Sequence, residues 1–263
     1  MSLSISTPNP PQPTSRPLHL EAVGHTHPGW RRAQNEDELA VHPDLGLFIV
    51  ADGMGGHAAG EIASRMAVAT VRAAILAAGP PGARPSLPSA GALLVSAIQR
   101  ANATIFAAAQ QDSAMQGMGT TIVAALTHGG RLAISHAGDS RAYLARGRCL
   151  QRLTEDHNAL NQCRDAGLDL AALPGLARYG HALTRAVGAA ETIEVDTRFV
   201  QPEPGDILLL CSDGLTCVVD DREIAAILVG CSDLGAAAER LIARANEHGG
   251  PDNVTAVLVR WVE

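Results

Sequence analysis

Short apolar runs recur along the chain, and several of them end on an aspartate beside a small residue. Residues 47–51, LFIVA, are continuously apolar with β-branched members, which predicts a buried strand. That run stops at Asp52-Gly53-Met54-Gly55-Gly56, where three glycines in four positions allow a sharp turn and a close backbone approach. Residues 207–211 repeat the arrangement and lead into Ser212-Asp213-Gly214-Leu215. Between them, strands at 120–126 and 132–137 form a hairpin about His128-Gly129-Gly130, and the second ends at Gly138-Asp139. Strands at 142–145 and 149–153 form another about Arg146-Gly147-Arg148. Looser alternation predicts strands at 18–25, 38–41 and 193–200, and residues 254–261 close the chain after Asp252-Asn253.

Helical spacing takes over elsewhere. A helix of small and apolar residues opens at about His57 and runs to Ala78, where Gly79-Pro80-Pro81-Gly82 breaks it. Leu94, Ile98, Ala101, Ile105 and Ala108 mark one face of the next helix. The two are expected to pack together over one face of a sheet. Shorter helices are predicted at 157–166, 221–228 and 234–247. Residues 157–182 hold few large apolar side chains and read as a mobile excursion rather than a second domain. Residues 1–17 are rich in Pro and Ser and read as a disordered tail, which leaves 18–263 as a single domain. Antiparallel meanders of this kind belong to sandwiches and α+β folds.

Composition narrows the options. With 263 residues and 46% hydrophobic content the chain can bury a large core, and at 3% aromatics that core is mostly Ala, Val, Leu and Ile. A formal net charge of -7 argues against nucleic acid or an anionic membrane as partner. The five cysteines are odd in number and form no C-x-x-C pair, so neither a disulfide framework nor a zinc site is expected. They read as buried, inert thiols of a cytoplasmic protein. No apolar run looks long enough to span a bilayer, and the N-terminus lacks the basic start and apolar stretch of a secretory signal.

The acids then stand out. Asp52, Asp139, Asp213 and Asp252 each sit at a strand margin next to Gly, Ser or Asn. Asp52-Gly53 and Asp213-Gly214 are also common turn dipeptides, and no one of these acids is telling alone. Four in a chain with no matching lysine cluster point to a hard cation, and oxygen ligands favour Mg²⁺, Mn²⁺ or Ca²⁺ over zinc. The loop from Gly29 to Asp37 carries Arg31 and Arg32 followed by Glu36 and Asp37, which by itself reads as a surface ion-pair cluster.

In order along the chain stand Arg32-x-x-Asn35-Glu36-Asp37, Val50-Ala51-Asp52-Gly53-Met54-Gly55-Gly56-His57, Gly119-Thr120-Thr121, Ala137-Gly138-Asp139-Ser140-Arg141, Leu153-Thr154-x-Asp156-His157, Leu183-Thr184-Arg185-Ala186-x-Gly188, Ser212-Asp213-Gly214-Leu215 and Asp252-Asn253-x-Thr255. This set resembles the metal-dependent Ser/Thr protein phosphatases of the protein phosphatase 2C (PP2C, or PPM) family in their bacterial form, over about residues 20 to 262. The resemblance implies a four-layer αββα sandwich with two mostly antiparallel sheets. It implies two Mn²⁺ or Mg²⁺ ions and a third, weaker one. Asp52 would bridge the pair, the Gly53 carbonyl would bind one ion, and Asp213 with Asp252 would complete its site. Glu36 would reach the second ion through water, Asp37 and Asn253 would support the ligands, and Asp139 with Asp213 would hold the third. Arg32 would grip the substrate phosphate. The implied reaction is hydrolysis of phosphoserine and phosphothreonine in proteins by in-line attack of a metal-bridging hydroxide, opposing a Ser/Thr kinase, in a monomer.

One position departs from the pattern. Some relatives carry a His directly after the Asp-Gly as the acid for the leaving alkoxide; here Met54 stands there, and His57 is the candidate acid. Two other readings compete. Gly53-x-Gly55-x-x-Ala58 after a strand matches a loosened dinucleotide fingerprint, but Asp52 would face the pyrophosphate with negative charge, and no strand ending in an acid follows. A catalytically dead binding domain would have lost ligands, whereas the four aspartates, Glu36 and Arg32 are all present.

Overall fold

The computed structural model describes residues 19–55, 59–80, 86–168 and 179–262. Its strands are β1 (His19–His27), β2 (Asp37–His42), β3 (Leu47–Met54), β4 (Gly119–Thr120), β5 (Ile122–His128), β6 (Arg131–Ala137), β7 (Arg141–Arg146), β8 (Cys149–Arg152), β9 (Asp196–Val200), β10 (Ile207–Cys211) and β11 (Val254–Val262). The helices are α1 (Ala59–Ala77), α2 (Leu87–Gln111), α3 (Ala159–Asp165), α4 (Asp213–Thr216), α5 (Asp221–Leu228) and α6 (Leu234–Glu247). One sheet runs β1-β11-β10-β7-β8 and the other β2-β3-β5-β6-β9, with β4 paired to the end of β3. The pairings within both sheets are antiparallel.

The layering follows from the two-residue period of a strand. In β3, Phe48 and Val50 point into the space between the sheets, while Leu47, Ile49 and Ala51 point to the helices α1 and α2. β5 divides the same way, with Val123 and Ala125 inward and Ile122, Ala124 and Leu126 toward the helices. On the other sheet, Leu208 and Leu210 of β10 and Val257, Val259 and Trp261 of β11 meet β3 and β5. Their neighbours Leu209, Cys211, Ala256 and Leu258 turn to α5 and α6, beside Leu241 and Ala245. Strands buried on both faces must be apolar throughout, which is why these runs show no polar alternation. Three packed interfaces separate four layers, and the result is the αββα sandwich.

The helix ends are specified locally. Ser86, Asn158, Asp220 and Asp233 each accept a hydrogen bond from the first turn of the helix they precede. In α2, Leu94, Ile98, Ala101 and Ile105 are fully buried against α1 and the sheet, and Ala108 is half-buried at the margin.

Several expectations need correction. Residues 89–111 of α2 are long and apolar enough to cross a membrane by length and composition, contrary to the sequence reading; in the fold this helix lies on α1, β5 and β6. The cysteines are not uniformly buried: Cys211 is, but Cys149 and Cys217 are exposed. Cys149 opens β8 just past a turn, and Cys217 caps the four-residue α4, so neither reaches a core layer. β9 starts at Asp196 rather than 193, because Ile193 and Val195 pack against the α1–α2 core before the strand begins. The predicted tail at 1–17, the candidate acid His57 and residues 169–178 of the predicted excursion lie outside the described residues.

Candidate active site

The site forms where strand ends from both sheets converge. Asp52 lies on β3 directly opposite Asp37 of β2. Its backbone is held on both sides by the Gly119-Thr120-Thr121 segment. The Thr121 N–H and the Thr120 hydroxyl donate to the Asp52 carbonyl at 2.8 and 2.9 Å, and the Asp52 N–H donates to Thr121 Oγ1 at 3.1 Å. Thr121 Oγ1 also meets Ser140 Oγ at 2.7 Å, which couples the Asp52 strand end to the loop carrying Asp139. Gly53 is sterically required. A Cβ there would stand 2.2 Å from the Gly60 carbonyl oxygen and 2.7 Å from that of Glu36.

From the other sheet, Asp213 begins α4 immediately after β10, and Asp252 precedes β11. The two loops are pressed together: a Cβ on Gly214 would lie 1.8 Å from the Asn253 carbonyl oxygen. Asn253 fixes the arginine-bearing loop to β11. Its amide donates to the carbonyls of Pro28 (3.0 Å) and Gln34 (2.8 Å), and its Oδ1 accepts the Glu36 N–H at 2.8 Å. Asp37 joins the sheets, with Oδ2 accepting from Ser212 Oγ at 2.8 Å and Thr255 Oγ1 at 2.6 Å. Its Oδ1 is buried and has no hydrogen-bond partner among the described residues.

The electrostatics are those of crowded acids. Burial, then the charges of Asp37, Asp213, Asp139 and Asp252, raise the Asp52 carboxyl well above the usual carboxylate range. Burial and then Asp252 raise Asp213. Asp139 is pushed up to about 7 by burial, then Asp213 and Asp156. Asp37 also rises to about 7 through burial, against the two hydroxyl bonds that favour its charged form. Glu36 is raised by burial, partly offset by Arg32. One cation faces the cluster from the arginine loop: Arg32 Nη2 donates to Asp252 Oδ2 at 2.6 Å. Arg141 is committed to Asp156 through a two-pronged pair at 2.9 and 2.7 Å, and Arg152 joins the same carboxylate. Buried carboxylates in excess of their cations are costly unless further positive charge is supplied. An all-oxygen donor set of this kind suits a hard divalent cation. The orphaned Oδ1 of Asp37 and the raised acids fit such an ion.

Arg32, Glu36, Asp37, Asp52, Gly53, Asp139, Asp213, Asp252 and Asn253 are thus gathered at one edge of the sandwich, linked by the contacts and mutual charge effects above. The sequence reading gave no role to Cys217, whose thiol reaches 3.6 Å from Asp213 Oδ2. It also missed a network behind Asp139. His157 Nδ1 accepts the Gly138 N–H at 3.2 Å, and the His157 N–H donates to the Gly138 carbonyl at 3.0 Å. His157 Nε2 lies 3.2 Å from Asp196 Oδ2, and Arg185 reaches Asp196 Oδ1 at 2.9 Å. His136 stacks on His157 with ring centroids 4.6 Å apart. Donor atoms of His136, His157 and Asp196 lie within 4.8 Å of one another, a spacing that could hold a metal. There the Arg185 guanidinium already supplies the positive charge, 3.2 Å from His157 Nε2. The segment Leu153-Thr154-x-Asp156-His157 was the available signal.

Residues 25–263 match the sequence profile described as protein phosphatase 2C. The chain is 36% identical over 250 residues to the serine/threonine phosphatase Stp of Listeria monocytogenes, covering 91% of this chain and 95% of that protein. Its fold is similar to the catalytic domain of the serine/threonine protein phosphatase PstP in complex with two manganese ions, at a TM-score of 0.81 and 35% identity over 94% of this chain and 100% of the other. It is also similar to Stp1 from Staphylococcus aureus, at a TM-score of 0.83 and 31% identity, with 92% and 94% covered. With the profile matched from the first strand to the last, the chain belongs to the protein phosphatase 2C family.

Proposed function

We propose that the chain is a metal-dependent protein serine/threonine phosphatase that hydrolyses phosphoserine and phosphothreonine by in-line attack of water-derived hydroxide. The observation that carries this reading is the cluster of carboxylates Asp37, Asp52, Asp139 and Asp213, Asp37 and Asp139 buried and Asp52 and Asp213 partly so, beside a half-exposed arginine. Its similarity to named serine/threonine phosphatases supports the substrate class. Asp52, Asp213, Asp252, the Gly53 carbonyl and Glu36 would hold two Mn²⁺ or Mg²⁺ ions, and Asp139 with Asp213 a third. Bound there, divalent cations would lower the pKa of a water and offset charge on the phosphoryl group.

The chain's own residues do the remaining work. Arg32 is within reach of Asp252 and presents a planar fork that a phosphate can engage through two N–H groups. Asp37 and Asn253 keep the ligand-bearing loops in register by bonding across the two sheets. Thr120 and Thr121 hold the Asp52 backbone, so its carboxylate does not depend on a mobile loop. The candidate acid His57 is assigned no step.

The test is hydrolysis of para-nitrophenyl phosphate and of a phosphothreonine peptide in Mn²⁺, with and without chelator, by wild type and Asp52→Asn. Metal-dependent turnover that the substitution abolishes is expected. Turnover that survives both chelation with trace metal excluded and Asp52→Asn would overturn the reading.

A further inference from the structure

Beside the arginine loop, β1 and α6 flank an open groove of ≈ 470 Å³. Trp30, His27, Ile242, Ala243, Asn246 and Glu239 are among its walls. Trp30 is 69% exposed, unusual for so large an apolar side chain. It is nevertheless held in place. Its N–H donates to the Gly250 carbonyl at 2.8 Å, and its ring meets His27 edge-on at a centroid distance of 5.3 Å. An anchored backbone and a T-shaped ring contact leave most of the indole exposed without being loose.

The charge at the groove has a direction. Glu239 and Glu247 both line it. Glu247 is engaged by Arg240 and Arg244 at 3.2 and 3.0 Å. Glu239 has no ion pair or hydrogen bond among the described residues. A free carboxylate and an exposed indole have one preferred ligand in common, a cation on an apolar stem, since aromatic faces attract ammonium and guanidinium groups. Ile242 and Ala243 supply the apolar floor for such a stem.

The groove is also placed to be read together with the phosphate. Trp30 precedes Arg32 by two residues, so their Cα atoms are at most about 7 Å apart, and the same loop is tied to Gly250 and Asp252. An extended peptide advances about 3.3–3.6 Å per residue. On that scale a side chain two to four positions from the phosphorylated residue lies at a comparable distance from the phosphate. We infer that this groove is a substrate subsite for a lysine or arginine that flanks the phosphoserine or phosphothreonine, gripped by Trp30 and Glu239. The inference rests on the phosphatase reading and adds a sequence preference to it.

The experiment is a positional scan. The full chain in Mn²⁺ is given phosphothreonine peptides in which Lys, Ala, Leu or Glu occupies each of the four positions on either side. The readout is the ratio of kcat/KM for the Lys peptide to that for the Ala peptide, in which effects on phosphate chemistry cancel. Wild type should favour Lys by about three- to tenfold at one offset. Trp30→Ala and Glu239→Gln should each bring that ratio toward one, and Glu239→Lys should invert it in favour of Glu. Glu239 lies on the exposed face of α6, so its variants keep the test informative should Trp30→Ala misfold. A flat scan with normal para-nitrophenyl phosphate turnover would overturn the subsite alone. A preference for Leu over Lys that Trp30→Ala removes would overturn the cationic assignment. No turnover of para-nitrophenyl phosphate in Mn²⁺ would overturn the phosphatase reading and the subsite with it.

Discussion

Arg32 and Asp252 hold each other at 2.6 Å across 220 residues of sequence. The pair joins the loop before β2 to the loop before β11, and so brings the proposed phosphate anchor onto a proposed metal ligand. Both side chains are substantially exposed, at 52% and 35%. An ion pair in that setting contributes about 0–1 kcal/mol to stability. It can therefore be given up when a phosphate dianion offers the guanidinium a two-pronged partner. Arg32→Ala should leave the melting temperature nearly unchanged and lower kcat/KM on a phosphopeptide by about 10²–10³-fold. Arg32→Lys should restore little, because a point charge does not reproduce the fork. Wild-type kcat/KM in Arg32→Ala would make the residue a surface ion-pair partner and nothing more.

The raised acids predict an unusual pH profile for the metal-stripped protein. Burial lifts Asp37 and Asp139 to about 7, above the unfolded value of 3.8. Between about pH 4 and 7 the folded state therefore binds more protons than the unfolded state, and stability falls as pH rises. The contribution is fully present below the unfolded pKa and is gone once pH passes the folded one. Metal-stripped protein should melt lower at pH 8 than at pH 5.5 at fixed ionic strength. Added Mn²⁺ should raise the melting temperature more at pH 8, where the carboxylates are already charged. A melting temperature that climbs steadily from pH 5.5 to 8 without metal would contradict the crowded-acid account.

Much of the candidate site was legible in the sequence because its acids sit at positions that local patterns mark. Asp52 and Asp213 each follow a run of apolar residues buried on both faces, and such a run has few other ways to end. What was not legible depends on distance along the chain. Nothing local says that β1 pairs with β11 over its whole length, which brings Thr26 opposite Thr255 and places the arginine loop beside Asp252. The pair formed by Arg141 and Asp156 has no spacing signature, since an ion pair needs only proximity in space. The cysteines misled for a related reason. A thiol is buried or exposed according to the element that carries it, and Cys217 ends a four-residue helix at the site's edge.

His157 offers a test of that long-range organisation. Its ring nitrogen and its backbone N–H both bond Gly138, one residue from Asp139, and Asp196 faces the other nitrogen. These contacts put it behind the Asp139 loop, where a positioning role is expected. His157→Ala should shift the Mn²⁺ concentration for half-maximal activity upward by about ten- to a hundredfold, as loss of a supporting partner commonly does. His157→Asn, whose Oδ1 can accept from Gly138 as Nδ1 does, should recover part of that loss. If Ala and Asn shift the Mn²⁺ dependence equally, or not at all, His157 serves the fold and not the Asp139 loop.

Asp139 separates two roles most sharply. Asp139 is buried, with 8% relative exposure, and burial with the charge of Asp213 raises its carboxyl to about 7. A residue present only to shape the turn between β6 and β7 would be served almost as well by Asn. Asp139→Asn would then leave the rate unchanged at every Mn²⁺ concentration, even where loss of the Asp213 repulsion raises stability. A residue kept to bind a cation beside Asp213 is a like charge held at a cost, and removing it has two opposite effects. Metal-stripped Asp139→Asn should melt higher than wild type at pH 8, because one repulsion with Asp213 is gone. The same variant should still bind two ions by calorimetry, yet turn over phosphopeptides more slowly at moderate Mn²⁺, with the gap narrowing as Mn²⁺ is raised. A lower rate at moderate Mn²⁺ that recovers as Mn²⁺ is raised is what a turn residue cannot produce. Wild-type turnover across the whole metal titration would remove Asp139 from the catalytic site.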